Sequence, residues 1–297
     1  MDIQIRSMTK ADIDRVGEIL YEGFTTVASH YGYASNVSSV QEGKLIAWAM
    51  LRHGPSEKLV VEADGRVVGS THLSLRGDVA GLGPTVIDPH FQGRSVGREL
   101  IGTVLDKAEN GTSIRTILEA FNPAVFALIY FSLDFELVAD LLDLILKAKA
   151  KPSVEPCSSV EELTLDDLDQ VCAYDKPRSG LDRRPDFTYF MRWGKVLAYR
   201  DQSQIRGYLA CLPGSSWVQL GPLVAEGQAE AECLFRHAVA SFEDRDFRTR
   251  IMTRDHSLAN ALKDLGFRIY CTEFLMVRGV WRPSQYVEAL GMFPEAA

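Results

Sequence analysis

The chain has 297 residues, enough for two domains of ordinary size or one large one, and its 46% hydrophobic and 24% charged residues are the composition of a folded globular chain, excluding long disordered segments. Thirty-two Lys and Arg against forty Asp and Glu give a net charge of −8, which opposes a nucleic-acid or anionic-membrane partner, because both need a cationic counter-surface. Five widely spaced cysteines, Cys157, Cys172, Cys211, Cys233 and Cys271, show no C-x-x-C and no paired Cys/His spacing. They predict free thiols, no metal site and a reducing cytoplasm. The start, MDIQIRSMTKADID, has acids early and no apolar h-region, and no uncharged apolar run reaches about 18 residues, so neither a secretory signal nor a membrane span is expected.

Residues 3–7 alternate as a short strand, and Thr9 followed by Lys-Ala-Asp offers an N-cap with an acid in the first turn. Ile13, Val16, Ile19, Leu20, Phe24 and Val27 then recur at helical spacing up to about His30, and a second helical pattern covers 39–53. Leu59–Glu62, the turn at Asp64-Gly65 and Val67–Arg76 read as a hairpin, followed by a strand over 79–87. After the stretch 88–97, Leu100, Ile101, Val104, Leu105 and Ala108 mark a helix stopped by Asn110-Gly111. A strand over 115–121 and a short helix after Asn122-Pro123 follow, and periodicity does not decide between strand and helix for the apolar segment 135–147.

Lys147 to Pro156 is polar, carries two prolines and lacks apolar rhythm, which predicts a linker. The domains are therefore read as 1–148 and 157–297, with 149–156 between them. Beyond the linker the order partly repeats: an acidic helix at 161–174, a helix near 185–193, strands at 195–200, 205–212 and 216–224, and a helix with Ala231, Leu234, Phe235, Ala238, Val239 and Phe242 on one face. A strand at 248–253, a helix at 257–264 and a strand at 268–278 complete it. Both halves read as α/β (α+β) units, each a mixed sheet flanked by helices.

The chemically informative stretch is strand, Asp88-Pro89, Gln92-Gly93-Arg94-Ser95-Val96-Gly97, helix. A strand-to-helix turn of small residues lets backbone approach a ligand, and the unpaired N–H groups of a helix start favour an anion such as phosphate. Arg94 and Arg98 add charge-assisted donors; a turn with two solvated arginines is the competing reading. Neither G-x-x-x-x-G-K-[ST] nor G-x-G-x-x-G is present, which argues against a nucleotide hydrolase or a dinucleotide enzyme. H-E-x-x-H and H-x-x-x-D are also absent.

Ile87-Asp88-Pro89 with Gln92–Gly97 resembles the coenzyme A loop of the GCN5-related N-acetyltransferases, Val-x-Pro followed by [QR]-x-x-G-x-[GA], with Ser95 where the first glycine is usual. Because Ser95 opens a helix, it is expected to have an ordinary helical φ. Leu128-Ile129-Tyr130-Phe131-Ser132-Leu133-Asp134-Phe135 is similar to the family's L-Y-x-x-L-G-F, with Asp134 in place of the glycine and the Asn122-to-Tyr130 spacing one residue longer. The resemblance implies acetyl-CoA or another acyl-CoA as co-substrate, with Val86, Ile87, Asp88, Gln92, Gly93, Arg94, Ser95, Val96, Gly97, Arg98 and Asn122 at the cofactor and Tyr130 protonating the departing thiolate. Arg206-Gly207-Tyr208, Leu220–Ala225 and Asn260–Phe267 resemble the degenerate second half of tandem members. No loop of the first kind follows Val224-Ala225, so only the first half is expected to hold the coenzyme.

Direct transfer to an amine needs the amine neutral, and Glu119, in the strand that the resemblance places beside the acyl site, is the candidate base. Glu62, Asp88 and His72 are weaker candidates. The run Lys176–Pro185 places four cations in what reads as a proline-bounded loop. The expectation is a cytoplasmic acyltransferase acting on a small-molecule amine, monomer or homodimer, with no metal. The alternatives are a non-catalytic acyl-CoA sensor or another acyl-thioester chemistry such as decarboxylation.

Overall fold

The computed structural model describes residues 2–108, 111–214 and 217–291. In the first half the elements are β1 (Ile3–Ser7), α1 (Ile13–His30), α2 (Val40–Arg52), β2 (Ser56–Ala63), β3 (Arg66–Arg76), β4 (Val79–Leu82), β5 (Val86–Ile87), α3 (Val96–Leu105), β6 (Ser113–Glu119), α4 (Pro123–Leu133) and β7 (Glu136–Leu146). The second half follows with β8 (Val160–Leu163), α5 (Leu168–Ser179), α6 (Arg184–Trp193), β9 (Lys195–Asp201), β10 (Gln204–Pro213), β11 (Trp217–Ala225), α7 (Gln228–Ser241), β12 (Asp246–Met252), α8 (His256–Asp264), β13 (Arg268–Arg278) and β14 (Val287–Leu290). The class is mixed α/β.

All strands belong to one sheet, in the order β1-β2-β3-β4-β6-β13-β7-β12-β14-β11-β10-β9-β8, with β5 alongside β3. The middle of this order shows that the halves exchange strands. β13, from the second half, lies between β6 and β7, pairing antiparallel with both, and β7, from the first half, pairs with β12. The cores follow the exchange: Met276 of β13 packs among Leu73, Leu100, Leu118 and Phe135, while Leu144 and Leu146 of β7 pack among Leu220, Phe235 and Phe247. A further tie is Asp186 of α6, which accepts from Arg76 Nε of β3 at 2.7 Å, with both side chains buried. Clusters confined to one half remain at the flanks, Val16, Leu20, Met50 and Val60 in the first and Val171, Phe187, Phe190 and Tyr208 in the second, but the clusters at the middle of the sheet are shared.

In each half a parallel pair opens into a wedge. β4 pairs with β6 only from Val79↔Ser113 to Gly81↔Arg115. Gly83 has φ +125 and Pro84 has no N–H to continue the ladder, so the strand expected over 79–87 breaks into β4 and β5. β5 turns away to β3, which leaves β6 beyond Arg115 without a strand on that side. In the second half β11 and β12 pair from Trp217↔Asp246 to Leu220↔Thr249, but there β14 fills the wedge, pairing with Leu223–Ala225 on one side and with Arg250 and Ile251 on the other. The strand that the sequence left unassigned is thus the one that closes the second wedge.

Other differences have local causes. The helix expected at 161–174 begins only at Leu168. Glu161 and Glu162 instead sit in the edge strand β8, ion-paired to Arg200 and Lys195 across β9. α3 stops at Leu105, and Asn110 of its expected stop lies outside the described residues. Segment 135–147 is strand β7. The four cations of 176–185 are ion-paired within the second half: exposed Lys176 to Asp182 and exposed Arg184 to Asp169 at the surface, Arg178 to Glu226, and buried Arg183 to Asp175 and the Tyr208 hydroxyl. Free thiols hold for Cys172, Cys211 and Cys271, but Cys157 and Cys233 form a disulfide. The segment before β8 lies on α7, where His237 Nδ1 is 3.1 Å from the Cys157 carbonyl oxygen, and this brings together cysteines 76 positions apart. No helix among the described residues is long and apolar enough to cross a membrane.

Candidate active site

The open wedge of the first half is a cavity of about 730 Å³. Its floor is the free side of β6 from Thr116 to Glu119, and Val86 and Ile87 of β5 face it across the gap. One edge of β5 pairs with β3 at Gly69↔Ile87 and Ser70↔Val86; the other leaves backbone groups directed at whatever fills the wedge. The roof comes from the helical hairpin. Ser39 caps α2 by accepting from Glu42 N at 3.2 Å, and Gly43 meets α1 so closely that a Cβ there would lie 2.1 Å from the Gly17 carbonyl oxygen. That approach, open only to glycine, brings the α1–α2 connection, with Ala34, Asn36 and Val37, over the cavity.

At one end the turn 92–98 forms a cradle of backbone donors. Gln92 Nε2 bonds the Ile87 carbonyl at 3.0 Å and fixes the turn to β5. Gly93 has φ +73 and Ser95 φ +63, with α3 starting directly after. Left-handed residues alternating with a residue of ordinary φ turn successive N–H groups to one side, a concavity suited to an anion. The first intrahelical bond, Glu99 N to Ser95 O at 3.0 Å, leaves the N–H groups of Val96, Gly97 and Arg98 free of the helix, and no side chain caps them. A Cβ on Gly93 would meet nothing within 4 Å, so the approach to the cradle is open. The expectation of a helical φ at Ser95 is therefore incorrect: the position is one where glycine is the unstrained residue. Ser95→Gly is expected to raise stability by about 0.5–1 kcal/mol, the relief of a left-handed Cβ less the entropy of a freer unfolded chain, as urea unfolding measures.

The other end is built from both halves. Glu119 closes β6 directly opposite Glu273 of β13, so both carboxylates project from one face. Asn36 Nδ2 donates to Glu119 Oε1 at 2.9 Å, and Asn36 Oδ1 accepts from Arg248 Nη2 at 2.8 Å. Arg248 Nε bonds both oxygens of the fully buried Asp143 of β7 at 2.9 and 3.0 Å, and its guanidinium lies 5.1 Å from the Trp217 ring centroid and 5.3 Å from that of Tyr270. Arg250 Nε bonds Glu273 at 2.5 Å. Desolvation, then the charge of Glu273, holds the Glu119 carboxyl above the ordinary glutamate value of 4.5. Asp143, Cys271 and Glu273 form a tight buried cluster, but both carboxylates already carry a guanidinium, and burial pushes the thiol up.

Of the residues expected at the site, Val86, Ile87, Gln92, Gly93, Ser95, Val96, Gly97, Arg98, Asn122 and Glu119 line the cavity. Asn122 also caps α4, its side chain accepting from Val125 N at 3.3 Å. Three are elsewhere. Asp88 is buried beneath the turn, bonded to Arg15 Nη2 at 2.5 Å and to His90 N at 2.9 Å, a structural brace rather than a ligand group. Arg94 leans over the Phe91 ring outside the cavity. Tyr130 is 43% exposed and stacked on Phe126. α4 turns Leu128, Ile129 and Ser132 to the cavity instead. Asn36, Trp217, Gln219, Arg248, Arg250 and Glu273, also in the lining, carried no signal in the sequence, because five of them lie more than 90 positions from Glu119 and reach it only through the strand exchange.

Comparison with known proteins gives the same picture. The acetyltransferase (GNAT) family model matches residues 16–132, and an acetyltransferase (GNAT) domain model matches 171–290. A putative acetyltransferase from Pyrococcus horikoshii superposes with a TM-score of 0.78 at 18% identity, over 99% of this chain and 95% of its own. A GCN5-related N-acetyltransferase from Sphaerobacter thermophilus does so with 0.63 at 14%, over 95% and 96%. A tandem GNAT protein of the clavulanic acid biosynthesis pathway gives 0.64 at 17%, over 95% and 100%. At such identities the likeness is one of fold. No functionally curated protein matches the chain.

Proposed function

The chain belongs to the GCN5-related N-acetyltransferase superfamily as a tandem two-domain member, and from that premise we propose that its first half transfers an acetyl group from acetyl-CoA directly to the amine of a small molecule. The observation that carries the reading is the open wedge with a backbone anion cradle at one end and a desolvated carboxylate, Glu119, at the other.

Each part has a task. The N–H groups of Val96, Gly97 and Arg98, with the Arg98 guanidinium, suit the pyrophosphate of the coenzyme. The free edge of β5 offers a backbone donor, the Ile87 N–H, to the thioester carbonyl, where negative charge develops as the amine adds. Glu119, deprotonated and held by Asn36, takes a proton from the attacking ammonium, directly or through water. The nitrogen then bonds to the carbonyl carbon and the carbon–sulfur bond breaks. The thiolate needs a donor, and among the α4 residues that line the cavity only Ser132 carries a hydroxyl. We assign it the hydrogen bond to the leaving sulfur that the sequence assigned to Tyr130. The second half supplies no second coenzyme site in this reading, since β14 fills its wedge.

Titration calorimetry with acetyl-CoA, followed by thiol release on a panel of amines, tests this. Binding at sub-millimolar concentration, in the range usual for enzyme substrates, with turnover is expected; binding without turnover on any amine would favour an acyl-CoA sensor. Ser132→Ala should lower kcat by about tenfold or more, the loss of a hydrogen bond to a charged group, while Tyr130→Phe leaves it unchanged. The reverse order would restore Tyr130 to the acid role.

A further inference from the structure

The two arginines beside Glu119 are already matched by acids. Asp143 holds Arg248 from behind, and Glu273 holds Arg250 through Nε at 2.5 Å and Nη2 at 3.2 Å. Glu119 is different: its side chain accepts from the neutral amide of Asn36. Glu42, also in the lining, accepts from Ser38 N at 2.7 Å and Ser38 Oγ at 2.6 Å, again from neutral donors. The remaining lining cation, Arg98, belongs to the cradle at the opposite end. The acceptor end therefore carries uncompensated negative charge in a desolvated setting, where charge interactions are strong.

A second, independent observation lies on β11. Gln219 is 3% exposed, lines the cavity, and its Nε2 has no hydrogen-bond partner among the described residues. It pairs in register with Arg248 of β12, so it stands beside the network that holds Glu119. A buried amide donor without a partner is costly. An oxygen on the ligand would satisfy it.

We propose that the acceptor is a cationic primary amine bearing a nearby hydroxyl or ether oxygen and no carboxylate, an amino alcohol or amino sugar rather than an amino acid. The proposal rests on the acyl-transfer reading above. Glu119 and Glu42 attract the ammonium, Gln219 Nε2 donates to the neighbouring oxygen, and a carboxylate on the acceptor would meet arginines whose charge is spent on Asp143 and Glu273 and acids that repel it.

The test uses the full chain, acetyl-CoA and matched acceptors: leucinol against leucine, phenylalaninol against phenylalanine, glucosamine against glucosaminate. Each carboxylate-free member is expected to have a kcat/KM higher by about tenfold or more, the scale of one unfavourable charge contact. Glu273→Gln frees Arg250 and should narrow that ratio. Gln219→Leu should erase the preference for ethanolamine over ethylamine while ethylamine turnover is retained, a readout that general loss of structure would not give. Amino acids equal to or better than their partners would overturn this inference and leave the acyl-transfer reading standing. Acetyl-CoA bound but no thiol released with any amine would overturn both.

Discussion

Glu119→Gln is expected to lower kcat/KM for the amine by about a hundredfold to ten-thousandfold, the usual contribution of a positioned general base, with acetyl-CoA affinity retained. The amide keeps the shape of the side chain and its contact with Asn36 but cannot take a proton. The pH profile separates this role from a merely structural one. Desolvation holds the Glu119 carboxyl above 4.5, so in the wild type kcat/KM falls as pH drops through a midpoint above that value, and in the variant that acid limb is absent. Stability moves the opposite way. A carboxyl whose folded pKa is raised binds its proton more tightly in the folded state, so wild-type stability declines as pH rises through the interval between 4.5 and the folded value. Glu119→Gln therefore unfolds at higher urea than the wild type at neutral pH and at equal urea in acid. Activity within threefold of wild type would remove Glu119 from the mechanism.

The second large effect concerns Asp143, which touches no part of the cavity. It is fully buried on β7 and bonds Arg248 of β12 through both carboxylate oxygens. Asp143→Ala leaves a guanidinium buried without its counter-charge, a loss of about 3–5 kcal/mol, readable as a fall in urea midpoint. Activity should fall beyond the stability loss, because Arg248 positions Asn36 and Asn36 positions Glu119. Assays well below the unfolding midpoint resolve the two, with kcat reduced and the acid limb displaced. The double change Asp143→Leu with Arg248→Met, which removes both charges, should recover most of the stability and none of the positioning. Equal stability of the single and double variants would contradict the assignment.

How far the sequence reaches is clear from particular residues. Helix and strand identities came through wherever one periodicity held, as in α1 and in β13, whose expected range of 268–278 is the observed one. The anion-cradle turn over 92–98 was legible as a strand-to-helix turn because it is local: its spacing and its neighbours lie within a dozen positions. Partners were not. Nothing in the rhythm of β13 says that it enters the sheet between β6 and β7, and so nothing pointed to Glu273 as the residue facing Glu119. That Tyr130 lies outside the cavity lining was illegible for a different reason. α4 is apolar on nearly every side, PAVFALIYFSL, so its pattern did not reveal which face meets the cavity, and two positions of phase separate Tyr130 from Ser132. Ser95 and Asp134 show a third limit. Both depart from a glycine of the resembled motifs, and both adopt φ near +60, Ser95 at 63 and Asp134 at 58. The glycine preference was written in the motif, while the backbone kept its turn after the glycine was gone.

The exchange of β13 also sets an order of events during synthesis. Residues 1–146 emerge from the ribosome with β6 paired to β4 but lacking β13, and with β7 lacking both neighbours. At roughly 5–20 residues per second, Glu119 waits on the order of ten seconds before Glu273 is available to face it. Until then the future floor of the cleft is an exposed strand edge, the kind of surface that recruits chaperones or aggregates. A nascent or prematurely terminated chain thus lacks the Arg248, Arg250 and Glu273 end of the cavity, which is completed only once β13 is threaded into place.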